Sequence, residues 1–151
     1  MNYKYLLDSN VLATSPVMEL IDTDFFRESC VVVSEIAYEL SDASVGDKIR
    51  VVAVTPSVAT LNFLQNIVDD LVRLGLLKTD HGNGEALLLA EALSMKSGNA
   101  NQLSLEFVQD QPVVVTNEKL VDVYAKSKGL QAINGREFID IATAAIANSR
   151  H

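Results

Sequence analysis

The sequence has a single cysteine among its 151 residues, no tryptophan, three prolines and two histidines. One thiol excludes an intrachain disulfide and any cysteine-rich zinc site, and it fits a reducing compartment. Cys30 stands directly before Val31-Val32-Val33, where a buried strand residue is expected rather than a nucleophile. No apolar run is long enough to span a membrane. The opening Met-Asn-Tyr-Lys-Tyr-Leu-Leu-Asp has one lysine and too short an apolar run for a secretory signal. A cytoplasmic location is expected. Basic residues are scarce: 12 Lys and Arg against 20 Asp and Glu leave a net charge of −8. That balance argues against a protein that holds nucleic acid by a broad basic field. It leaves room for a nuclease whose clustered acids are neutralised by cations, and for a basic protein partner.

Internal repeats, low-complexity tracts and Pro/Gly/Ser-rich linkers are absent too, so residues 1–151 are expected to form one domain with a substantial core. The span 97–111 is polar and weakly patterned, which marks it as an insertion or a partner-facing surface.

What the chain does contain is an alternation of short β-branched runs with helical periodicity. The run ending at Leu7 reads as a buried strand. Val11 to Asp22 reads as a helix broken near Ser15-Pro16, and Asp22-Thr23-Asp24 as a turn. Val31-Val32-Val33 forms a second strand, followed by a helix opened by Ser34. Ile49 to Val54 is expected as a third strand, with Pro56 in the first turn of the next helix. Leu61, Leu64, Ile67, Val68 and Leu71 recur at helical spacing, a stripe for the core or a dimer surface. Glu85 to Lys96 is a helix apolar almost all round, hence central. Pro112 to Thr116 is a strand, Glu118 to Lys128 a helix stopped by Gly129, Leu130 to Ile133 a last strand, and Arg136 to Ser149 a closing helix. Strands alternating with helices point to an α/β fold, a parallel sheet covered on both faces.

The acids fall at telling places. Asp8, with Ser9 and Asn10, ends the first strand, and the edge outside strand carboxyl ends is where open α/β sheets bind ligands. Glu39 lies on the helix after the second strand, with Glu35 one turn before it on the same face. Glu85 opens the most apolar helix, and Asn117 and Glu118 follow the Val-Val-Val-Thr116 strand. Parallel topology gathers these points at one sheet edge. Several carboxylates there would repel one another unless a cation neutralised them, and an oxygen-only donor set suits Mg²⁺ or Mn²⁺. Taken singly, each acid has a plainer explanation. Glu35, Glu85 and Glu118 lie at helix starts, where the dipole alone favours an acid, and Asp8, Ser9 or Thr116 could serve only as caps. Asp80 and His81 precede the Glu85 helix and read as a solvated loop.

Lys119, Lys126, Lys128 and Arg136 cluster in the stretch that begins at the fourth acidic position, where they could hold a phosphate backbone or form an ordinary solvated face. His-Glu-x-x-His, Gly-x-Ser-x-Gly and Walker patterns are missing, as is an aromatic stacking platform.

Four segments, in order, resemble those of PIN-domain ribonucleases: Tyr-Leu-Leu-Asp8-Ser9-Asn10, Ser34-Glu-Ile-Ala-Tyr-Glu39-Leu40, Gly84-Glu85-Ala-Leu-Leu-Leu-Ala, and Thr116-Asn117-Glu118-Lys119-Leu120. Glu118 stands where that family usually has Asp. The resemblance implies a three-layer α/β sandwich and RNA hydrolysis that depends on Mg²⁺ or Mn²⁺. It makes Asp8, Glu39, Glu85 and Glu118 the metal-binding acids, with Ser9, Asn10, Thr116 and Asn117 in support and no covalent intermediate. Many such proteins are VapC-type toxins paired with an antitoxin, and dimers are common among them. Two rivals stand beside this reading. A catalytically weak PIN-like scaffold would bind a protein partner. A phosphatase-like or receiver-like phosphoryl-transfer domain fits less well, because position 10 is Asn and Val54 is followed by Thr55-Pro56.

Overall fold

A computed structural model describes residues 2–39, 49, 52–55, 57–76, 84–101 and 110–149, the side chains of 39 and 99–101 excepted. Five strands form one all-parallel sheet: β1 (Asn2–Leu7), β2 (Cys30–Val33), β3 (Ala53–Val54), β4 (Asp110–Val115) and β5 (Gln131–Ile133). Their spatial order is β3-β2-β1-β4-β5. Tyr5, Leu6 and Leu7 of β1 are all buried, and so are Val113, Val114 and Val115 of β4. Unbroken apolar runs of this kind are what a central strand covered on both faces requires. The expected α/β three-layer sandwich is observed.

The helices are α1 (Ser9–Leu12), α2 (Ser15–Met18), α3 (Asp24–Ser29), α4 (Ser34–Glu39), α5 (Val58–Arg73), α6 (Gly84–Asn101), α7 (Lys119–Ser127) and α8 (Gly135–Ser149). On one side α3 and α8 meet, and the Tyr5 ring lies 6.0 Å from Phe25 and 5.5 Å from Phe138. Helix α6 packs against β4, β2 and β1 and is covered in turn by α5. This position accounts for Ala86 to Ala90 and Ala92 being buried on almost every face of the helix. Of the α5 stripe, Ile67 and Leu71 are buried whereas Leu61 is half exposed.

Several boundaries differ from the sequence reading. Among the described residues of the expected third strand, only Ala53 and Val54 join the sheet; Ile49 is helical and Val52 lies in a 3₁₀ turn. Both are nonetheless buried, so their apolar character answers to packing and not to strand pairing. The short β3 is an edge strand, where brevity limits unwanted pairing. Helix α3 lies between the expected turn and the second strand, where no helix was expected, and it is opened by Thr23, whose hydroxyl oxygen accepts the Phe26 N–H at 3.2 Å. The α6 helix runs on to Asn101 rather than ending at Lys96, so residues 97–101 of the supposed insertion are helical. Residues 110 and 111 already belong to β4, and 102–109 lie outside the described residues, as do Pro56, Asp80 and His81. Gly129 does stop α7, with φ at 80°.

The chain order fixes where a crevice opens. From β1 it moves outward to β2 and β3, then returns to place β4 on the other flank of β1. The direction of winding therefore reverses between β1 and β4, and ligands of open α/β sheets bind outside the carboxyl ends of strands at such a point. Register pairs Leu7 with Val115 and Val115 with Ile133. The next residues, Asp8, Thr116 and Asn134, therefore stand side by side on that edge.

Candidate active site

Asp8 is 1 % exposed, the most deeply buried acid among the described residues. Its backbone N–H extends the ladder to Val115 O at 3.0 Å, which fixes the carboxylate at the strand end. The sequence left a choice between helix cap and site residue, and the geometry shows one carboxylate oxygen in each environment. Oδ1 accepts the Ser9 N–H at 2.8 Å and caps α1. Oδ2 faces the sheet edge, where it accepts the Thr116 hydroxyl at 2.8 Å and the Asn10 amide at 3.3 Å.

The neighbouring strand supplies the second wall. Thr116 Oγ1 accepts the Glu118 N–H at 3.1 Å while donating to Asp8, so one hydroxyl orients two acidic positions. Asn117 N–H donates to Asn10 Oδ1 at 3.0 Å. Glu118 occupies the cap position of α7 without a side-chain capping bond, which leaves its carboxylate available to the edge. Glu85 stands in the first turn of α6. One carboxylate oxygen from each of Asp8, Glu85 and Glu118 can be chosen so that all three lie within 4.8 Å of one another.

Magnitudes separate a cluster from three independent caps. An acid at a helix N-terminus gains about 0.3–1 kcal/mol from the dipole. Two full charges 4–5 Å apart at an effective dielectric of 20 repel by about 3–4 kcal/mol. Capping therefore cannot account for this convergence with all three acids ionised. Burial, first, and the nearby Glu118 charge push the Asp8 carboxyl above the ordinary aspartate range, against the pull of the bonds from Thr116, Ser9 and Asn10. A divalent cation would relieve both effects, and an all-carboxylate donor set suits a hard one. The residues fit such an ion.

The other acids are placed differently. Glu35 is in the first turn of α4 and is not part of the cluster. Glu39 is the last residue of α4, and its side chain is outside the described residues. Among the basic positions, Lys119 and Lys126 border an open cavity of about 220 Å³ beside Glu118. Lys126 is paired with Asp122 at 3.0 Å. Lys128 lies at the far end of α7, 3.2 Å from Asp70 and over the Tyr124 ring. Arg136 is exposed in the first turn of α8. Sequence reading passed over Asp122, Asn134 and Glu137, which also border the cavity. Asn134-x-x-Glu137 is a helix-capping pattern legible in the sequence, and Asn134 Oδ1 does accept the Glu137 N–H at 2.8 Å. Asp122 follows Glu118 by one helical turn, a spacing that was also there to be read. Cys30 is buried and burial pushes its thiol up, as a core residue and not a nucleophile.

No family model and no curated protein matches the sequence. Among solved structures, the chain is similar to one in the structure of VapBC-1 from nontypeable Haemophilus influenzae, with 15% identity and a TM-score of 0.49. That alignment covers 87% of this chain and 98% of the other. It is also similar to a chain in the structure of VapBC2 from Rickettsia felis bound to a DNA fragment from their promoter, with 13% identity and a TM-score of 0.48. There the coverage is 86% and 97%. At these identities the likeness is one of fold.

Proposed function

We propose that this chain is a PIN-like ribonuclease that works with Mg²⁺ or Mn²⁺ held by Asp8, Glu85 and Glu118. The observation that supports the reading is the convergence of three carboxylates within 4.8 Å at the switch point of the sheet, one of them fully buried. Glu39 is proposed as a fourth acid, with Glu35 on the same helix as the alternative. When bound, the cation would withdraw charge from the scissile phosphodiester and favour ionisation of the attacking water. Asp8, anchored through both oxygens, supplies a fixed ligand. The bonds from Thr116, the Ser9 backbone N–H and Asn10 favour its charged form against the cost of burial. Glu118 lines the cavity, and its carboxylate is proposed to serve in place of the Asp that the family usually has at this position.

Lys119 and Lys126 border the cavity beside Glu118 and are proposed to meet the RNA backbone. Lys128 and Arg136 would act farther along the strand, with Lys128 first having to leave Asp70. An antitoxin of basic character is the proposed protein partner, in keeping with the net charge of −8. No helix among the described residues is long and apolar enough to cross a membrane, and a single cytoplasmic domain able to form a homodimer completes the reading.

The test is cleavage of end-labelled, mixed-sequence RNA by the purified protein with Mn²⁺, with chelator, and by the Asp8→Asn variant. Cleavage that needs both the metal and Asp8 is expected. Cleavage surviving the substitution would refute the assignment, and its absence under every condition, with no inhibitor co-purified, would favour a binding scaffold.

A further inference from the structure

Asn117 lies between the residue that bonds Asp8 and the residue that contributes Glu118, and it contacts two other elements. Its N–H donates to Asn10 Oδ1 at 3.0 Å, and Asn10 in turn donates to Asp8 Oδ2 at 3.3 Å. Its own Oδ1 accepts the Gly135 N–H at 2.8 Å. Three hydrogen bonds thus lead without a break from the first turn of α8 to the buried carboxylate. Helix α8 is a firm post for such a chain, because Phe138 and Ala142 anchor it in the core with no exposed surface.

Gly135 is fitted to the same carboxamide. Among the described residues the glycines at positive φ are Gly75 and Gly129, so the backbone at 135 does not call for glycine. Space does. A Cβ built there would stand 3.0 Å from Asn117 Oδ1 and 3.2 Å from its Nδ2. The carboxamide would have to retreat by a few tenths of an ångström, at the expense of its 2.8 Å bond.

We propose that Asn117 is a positioning residue for the carboxylate cluster and that Gly135 is glycine in order to admit it; this rests on the cluster being a cation site. The helix post sets the carboxamide, the carboxamide sets the loop after β4, and that loop sets Glu118 and the Asn10 bond to Asp8. Outer partners of metal ligands act in this way, by fixing the orientation of groups they touch.

Alanine is a better helix former than glycine, so a purely structural role at 135 and a positioning role predict different outcomes. The 151-residue protein would be titrated with Mn²⁺ by calorimetry, alongside thermal melts and amide hydrogen exchange of the metal-free form. Asn117→Ala is expected to bind Mn²⁺ about tenfold more weakly. Gly135→Ala should show a smaller loss of affinity with no fall in melting temperature, and faster exchange of the Asn117 N–H with Val114 unchanged. The double variant should bind no more weakly than Asn117→Ala, because no carboxamide remains to be displaced. Wild-type affinity in Asn117→Ala, or losses that multiply in the double variant, would overturn the proposal. A wild-type protein that binds no Mn²⁺ would refute the cation reading instead. Exchange at Asn117 then decides the positioning claim by itself, and an unchanged rate in Gly135→Ala overturns it.

Discussion

Thr116 Oγ1 donates to Asp8 Oδ2 at 2.8 Å across 108 residues of chain, joining the carboxyl ends of two adjacent strands through one buried hydroxyl. The same oxygen accepts the Glu118 N–H, so the bond that stabilises one acid also fixes where the next begins. Strand register makes this contact, because Leu7 and Val115 are direct partners.

Replacing that hydroxyl by a methyl group isolates its contribution. Thr116→Val keeps shape and leaves a buried carboxylate oxygen short of a donor, which should destabilise the protein by about 1–3 kcal/mol in denaturant titration. Mn²⁺ affinity should fall about tenfold as Asp8 loses its orientation. An unchanged affinity would remove Thr116 from the account.

Acidification should act on two aspartates with opposite sign. Asp8 has its folded pKa raised, so its contribution to stability is complete below the ordinary aspartate value, about 4, and is lost as pH rises through the folded value. Asp70 has its pKa lowered, chiefly by the Tyr124 hydroxyl and then by Lys128. Its contribution is present above the ordinary value and is lost as pH falls through the depressed one. Metal-free Asp8→Asn should therefore be more stable than wild type at pH 7, with the gap closing on acidification. Asp70→Asn should be less stable at pH 7, with its gap closing as well. Melting curves across pH check both, and saturating Mn²⁺ should reverse the order at position 8, since the ion binds only the folded state.

Lysines on one helix should separate by their neighbours. Lys119 has no ion-pair partner among the described residues, whereas Lys128 bridges to Asp70 and covers the Tyr124 ring. Lys119→Ala should weaken RNA binding and reduce its salt slope by about one. Lys128→Ala should lower thermal stability and alter RNA binding less. Fluorescence anisotropy against salt concentration distinguishes them.

The aromatic packing that anchors α8 should dominate stability. Phe138 has no exposed surface and touches both Tyr5 and Phe25. Phe138→Ala should cost about 3–5 kcal/mol, measured by chemical denaturation.

Asp8, Glu85 and Glu118 were legible in the sequence because each follows a strand or opens a helix, and parallel pairing alone carries such points to one edge. Glu118 was legible despite its departure from the usual Asp, since Val-Val-Val-Thr before it reads as a buried strand. Ile49 and Val52 misled because burial calls for apolar residues in helix, turn and strand alike, and short apolar runs carry no period that tells these apart. Helix α3 was hidden by the β-branched run that follows it, although Thr23 was an available cap. Lys128 was grouped with Lys119 by proximity along the chain, but the length of α7 carries it away toward Asp70. Asn117 was read as a supporting residue, but its bond to Gly135 could not be: the two are eighteen residues apart, and only the fold brings them together.

Calorimetric titration of Mn²⁺ into the metal-free protein tests the central claim most directly, with Asp8→Asn, Glu85→Gln and Glu118→Gln measured beside the wild type. The account predicts specific binding by the wild type, loss of that binding in Asp8→Asn, and marked weakening in the two glutamine variants while all remain folded. Equal binding by the wild type and Asp8→Asn would contradict it, because the ion would then be held somewhere other than the edge between β1 and β4.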